Sequence, residues 1–149
     1  MKTFRRFFLI LSTLICGTAL QAQINNAFVE GVWKIKTLKD TGKMIDLGAK
    51  ETDVTINTKG KSITVYIGCN HFSSKFEFIT ADKVKPFELT ATRRSCSESL
   101  EGLESALRYA LEQTNSIRKN GSKTEFYKDN ELLIVLERSL DNSKKKKKH

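Results

Sequence analysis

Proline, histidine and cysteine are scarce in this chain of 149 residues, which holds one, two and three of them, and glycine is modest at eight. That composition excludes a collagen-like or generally disordered chain, and the length fits one domain. Beyond the N-terminus no run is apolar enough to span a membrane, and no internal repeat is evident. The sequence has no Gly-rich loop to cradle phosphate, no Ser elbow, no dinucleotide fingerprint and no Cys-x-x-Cys. Carboxylates occur as single residues on a helix surface or beside lysines, with no pair marked for acid–base work. No catalytic residue, cofactor or resident metal is expected from these features.

Acidic residues are outnumbered, 17 against 26 Lys and Arg, which gives a formal charge of +9. A charge of that size suggests nucleic acid until it is placed along the chain. Lys2, Arg5 and Arg6 at one end, with Lys144, Lys145, Lys146, Lys147 and Lys148 at the other, carry eight of the nine. The middle is nearly neutral, so no specific nucleic-acid partner is expected. The first end reads as a secretory signal over residues 1–22. A basic start, an apolar run from Phe7 to Ala19 and short residues up to Ala22 predict cleavage there and release to the periplasm or beyond. An uncleaved anchor is the first alternative, for which the run is short. A lipoprotein through Cys16 is the second, although Ile15 stands where a small residue is preferred. The basic tail, residues 139–149, repels itself and is expected to be disordered. It is either a solubilising extension or a weak contact for an anionic surface, and nothing basic in the middle extends the patch.

Export leaves two cysteines, Cys69 and Cys96, and in an oxidising compartment two cysteines are most simply a disulfide. A loop of that length corresponds to roughly 3–4 kcal/mol of chain entropy. A free buried pair and a redox pair are the alternatives. Cys69 and Cys96 with His71 also amount to three potential metal ligands, but a Cys-x-His spacing is tight for two of them. Cys-His nucleophilic catalysis lacks a third, orienting residue.

Hydrophobic periodicity then gives the elements. Gly31 to Lys39 alternates, with Trp33 and Ile35 on one face. Thr52 to Thr58 and Ser62 to Ile67 alternate about Lys59-Gly60-Lys61, a predicted hairpin. Phe72, Phe76 and Phe78 share a parity in the next segment. Val84 to Ala91 reads as a weaker strand that Pro86 confines to an edge or a bulge. Leu100, Leu103, Leu107 and Leu111, with Ala106 and Ala110, then recur at helical spacing, and Glu101, Glu104, Arg108 and Glu112 are assigned to the solvated face. Ser95 to Glu98 has capping-box spacing, and Ser97 alone would also serve. Strands resume at Ile117, at Thr124 to Lys128 and at Glu131 to Arg138, with Asp129-Asn130 as the last turn. The expectation is one antiparallel α+β domain, residues 23–138.

Trp33 on an early strand, a strand ending in Gly68-Cys69-Asn70, and Thr92-Arg-Arg-Ser-Cys96 leading into an amphipathic helix resemble the META domain family, which includes HslJ-type heat-inducible envelope proteins. The resemblance spans about Gly31 to Arg138. It departs at Arg94, where the family commonly has Met, and at Ser97, where it often has Pro. The resemblance implies a small antiparallel barrel-like sheet interrupted by one helix, similar in outline to lipid-binding secretion pilotins. It implies no catalytic residues, and an envelope stress or maintenance role with an envelope protein or lipid as partner. Trp33, Gly68, Asn70 and Thr92 carry the motif, and loop chemistry reads Gly68 and Asn70 as structural before binding. Gly31-Val32-Trp33 also resembles the opening of lipocalin-like barrels, which carry small apolar ligands. The two readings imply different interiors, filled for META and hollow for a lipocalin.

Overall fold

A computed structural model describes residues 27–139. The expected signal peptide with Cys16 and Ala22, and the lysine run from Lys144, lie outside the described residues. Within them the order is β1 (Gly31–Asp40), β2 (Lys43–Asp46), β3 (Asp53–Asn57), β4 (Ser62–Tyr66), β5 (His71–Lys75), β6 (Thr90–Ala91), α1 (Glu98–Gln113), β7 (Ser116–Asn120), β8 (Lys123–Lys128) and β9 (Glu131–Arg138). All pair antiparallel in the order β6-β5-β4-β3-β1-β9-β8-β7, with β2 beside β1. The α+β class read from periodicity is the observed one.

β1 organises the sheet because it is long enough to serve two neighbours along one edge. Gly31 to Trp33 pairs with β3, and Thr37 to Asp40 pairs with β2. Between them the Ile35 N–H has lost its strand partner, and the hydroxyl of fully buried Thr52 accepts it at 3.0 Å. A bulge at Lys36 on the β9 side turns the strand, and the Lys36 carbonyl accepts Leu47 N–H at 2.8 Å. The strand β2 was not foreseen. It follows Thr41-Gly42, both at positive φ, a two-residue turn whose twist suits a hairpin.

Alternation places Trp33, Ile35, Val54, Ile56, Ile63, Val65, Phe72, Phe126, Ile134 and Leu136 on one side of the sheet, where Leu107 and Leu111 of α1 meet them. A stripe of apolar residues every three to four positions suits a helix laid on a curved sheet. Nine of these side chains converge on a gap too small to admit a water-sized sphere. This interior is filled, as the META resemblance implied, and the gap among these described residues is not a lipocalin-like cavity.

The barrel-like expectation needs correction, since the sheet is not closed. The segment foreseen as a strand over Val84 to Ala91 supplies only β6 and one isolated bridge, Phe78↔Val84, with a second, Lys83↔Ser116, at the residue just before it. Pro86 has no N–H to extend a ladder, so these contacts lean toward β7 without zipping. Helix α1 begins with Ser97 and not Ser95 at the N-cap, so the Ser95–Glu98 capping box is not formed, and the Ser97 hydroxyl makes no cap bond to the backbone. Leu100 and Glu101 N–H donate instead to the Ser97 carbonyl, at 2.9 and 3.0 Å. No helix among the described residues is long and apolar enough to cross a membrane.

Candidate functional site

The residues singled out in the sequence gather where β4, β5, β6 and the start of α1 meet. Gly68 turns the chain at φ +106°, a left-handed conformation that favours glycine. A Cβ there would also come within 3.0 Å of the Leu100 side chain. Cys69 follows and is joined to Cys96 as a disulfide with Cα atoms 6.1 Å apart, which ties the sheet to the helix entrance.

Asn70, next in line, is buried at 7% exposure and uses its polar groups on four partners. Its Oδ1 accepts the Thr92 hydroxyl at 2.8 Å and the Arg94 N–H at 2.9 Å. Its backbone N–H and Nδ2 donate to the two carboxylate oxygens of Glu104, at 2.5 and 2.8 Å. Nδ2 also lies 3.2 Å from the Cys96 sulfur. Thr92 adds a reciprocal pair with His71: His71 N–H donates to Thr92 Oγ1, and Thr92 N–H to the His71 carbonyl, each at 3.0 Å. One asparagine therefore pins the β4–β5 corner, the β6 edge, the loop before α1 and the second turn of α1.

Glu104 corrects the sequence reading, which put it on the solvated face. It is buried at 8% exposure. It lies four residues after Leu100 and three before Leu107, within the apolar stripe, and that position was the available signal. No Lys or Arg among the described residues forms an ion pair with it; Arg108, one turn on, pairs with Glu112 at 3.4 Å. A buried carboxylate held by two amide donors of one residue is an uncommon arrangement, because buried charges are usually paired.

His71, in contrast, is exposed and points away from the disulfide. Its ring stacks on Tyr66 at 4.8 Å, above a shallow cleft shared with Glu51 and Asp53. The sulfurs of Cys69 and Cys96 are grouped with Glu104, not with His71. Beside the hub runs a groove of about 300 Å³ between α1 and the β5–β6 edge, lined by Phe72, Ala91, Thr92, Glu101, Ser105 and Arg108. The Arg108 guanidinium lies over the Phe72 ring at 5.3 Å.

Trp33 stands elsewhere, at the far end of β1. Its indole N–H donates to the Val29 carbonyl at 2.8 Å, and the Arg138 guanidinium covers its ring at 4.0 Å. Arg138 also donates to the carbonyls of Glu30 and Phe28, at 2.6 and 3.1 Å. Gly31 sits between them at φ +116°, where a Cβ would fall 2.6 Å from that guanidinium. The Gly-x-Trp pattern thus closes the two ends of the described residues together.

A protein structure from Burkholderia xenovorans solved by NMR matches with a TM-score of 0.60, over 77% of this chain and 86% of that one, at 16% identity. At that identity the likeness concerns the fold. No curated protein matches. The META domain model matches residues 26–139, which takes in Trp33, the Gly68-Cys69-Asn70 corner, Thr92 to Cys96 and the final strands, and the chain belongs to the META domain family.

Proposed function

We propose that this META-domain protein is exported and acts in the cell envelope as a non-catalytic binding module, in stress resistance or maintenance. The observation that carries the reading is the bonding of Asn70. Its side chain and amide are spent on Thr92, Arg94 and Glu104, so Asn70, although it borders the groove along α1 with Thr92 and Glu104, has its hydrogen-bonding groups taken up by the fold. The filled interior points the same way, since a ligand or partner must then be met on the surface. The groove along α1 is the surface that this hub shapes, and Ser105 opens into it.

Fractionation with intact-mass measurement tests the location. The reading expects an envelope form starting near Gln23 with no acyl chain, whereas an acylated Cys16 would make it a lipoprotein. A deletion strain challenged by heat and envelope stress tests the role. Ser105→Arg, at an exposed helix position, should leave the thermal midpoint unchanged and fail to complement. Full complementation by that variant would remove the groove from the reading, and a protein retained with its leader in the cytoplasm would overturn the reading itself.

A further inference from the structure

We propose that the Cys69–Cys96 pair and Glu104 form a redox-gated site for a divalent, thiophilic metal ion such as Zn²⁺. The disulfide and the metal are alternative occupants of one place. The Sγ of Cys69, the Sγ of Cys96 and a carboxylate oxygen of Glu104 all lie within 4.8 Å of one another. The Glu104 oxygens stand 3.9 and 4.0 Å from the Cys96 sulfur. Two sulfurs at about 2.3 Å and an oxygen at about 2.0–2.2 Å from a tetrahedral ion stand about 3.5–3.8 Å from one another, so once the disulfide is reduced the sulfurs move apart to that spacing while the carboxylate closes on Cys96 by a few tenths of an ångström. Three protein ligands leave the fourth position for water.

A second observation is independent of the cysteines. Glu104 is a buried carboxylate that no cation among the described residues pairs with, and a metal ion supplies the missing positive charge. Asn70 is already placed as the supporting residue. Its Nδ2 donates to Glu104 and lies 3.2 Å from the Cys96 sulfur, so it fixes one ligand and stabilises negative charge on another. The pair is also reachable, since Cys69 and Cys96 are only partly buried.

The chemistry balances as follows. A dithiol reductant delivers two electrons and two protons, the Cys69–Cys96 bond breaks, two thiols form, and the reductant leaves as its own disulfide. The ion then displaces both thiol protons to solvent as two sulfur–metal bonds and one oxygen–metal bond form. A disulfide oxidant reverses this: it takes two electrons from the two thiolates and two protons from solvent, leaves as its dithiol, and the Cys69–Cys96 bond re-forms as the two sulfur–metal bonds break and the ion is released.

Cobalt(II) is the probe, added without oxygen to the full chain after phosphine reduction. The expected result is one ion bound per chain with thiolate-to-cobalt absorption, displaced by Zn²⁺ and absent from the oxidised protein. Glu104→Gln should weaken cobalt binding about tenfold or more and change the visible spectrum, because an oxygen ligand is lost. Equal affinity for that variant, or reduced protein with no thiolate absorption, overturns the proposal. Should Glu104→Gln fail to fold, thermal unfolding of the natural sequence decides. Zn²⁺ should raise the midpoint of the reduced protein and leave the oxidised protein and Cys69→Ser/Cys96→Ser unmoved. The same response in all three would overturn the site.

Discussion

At the scale of the residue, buried polar groups in this domain divide by whether they have partners. Asn70 is fully engaged, and removing its side chain orphans the Arg94 N–H and strips a donor from buried Glu104. Asn70→Ala should therefore cost roughly 2–4 kcal/mol, read as a lower urea midpoint with an unchanged slope. Thr124 makes the opposite case. It is wholly buried in β8 and its hydroxyl has no partner among the described residues. Thr124→Val keeps the shape and a β-branched side chain, and should stabilise by about 0.5–1 kcal/mol. A loss there would mean that the hydroxyl is satisfied by water. The sequence made Asn70 legible through its place after Gly68-Cys69, but Glu104 was read by its charge. Its position on the apolar stripe said otherwise, and position was the better guide because helix geometry decides which side chains are covered.

At the scale of the element, strong alternation was legible and weak alternation was not. β3 and β4 carry Val or Ile at every second position on the covered side, β1 carries Trp33 and Ile35 before its bulge and Leu38 after it, β8 and β9 place Phe126, Ile134 and Leu136 there, and α1 carries its leucines at helical spacing. β2 is four mostly exposed residues, Lys-Met-Ile-Asp, so burial gave its pattern no contrast; only the Thr41-Gly42 turn announced it. The segment after Phe78 failed for another reason, since Pro86 removes a ladder donor and the chain there packs without a regular partner. Cys69 and Cys96 join two well-read elements across 27 residues of this less regular chain. Replacing both by Ser frees that loop in the unfolded state and should lower stability by up to roughly 3–4 kcal/mol with the topology retained. Near-ultraviolet dichroism and urea unfolding would check both halves of the claim, and an unchanged midpoint would sink it.

At the scale of the whole molecule, the two ends of the described residues and the β3–β4 corner meet at Glu30. Its carboxylate accepts the Thr58 N–H at 2.6 Å and the Thr58 hydroxyl at 2.5 Å, while its carbonyl is held by Arg138 from the end of β9. No apolar residue follows Leu140. Deleting Lys144 to His149 should thus leave the thermal midpoint unchanged, and a large drop would show the tail packed on the domain. Acid acts on the closure directly. The hydroxyl and then the amide of Thr58 hold the Glu30 carboxyl below its ordinary 4.5 against the opposing effect of burial, with Lys59 and Arg138 adding lesser contributions in the lowering direction. Such a group binds its proton less readily folded than unfolded. Its contribution to stability is therefore complete above 4.5 and is lost as pH falls through the lower, folded value. Asp46 and Glu77, held low by the Gly48 amide and by Lys85 and Lys61, lose their contributions in the same direction. Glu30→Gln has no such proton to gain. The midpoint difference between the natural chain and this variant, followed from neutral pH downward at low salt, should be widest near neutrality and close in the acid range. A gap that stays constant through that range would show that Thr58 binds the side chain equally well in either protonation state, and the closure would then rest on Arg138 and the Trp33 ring instead.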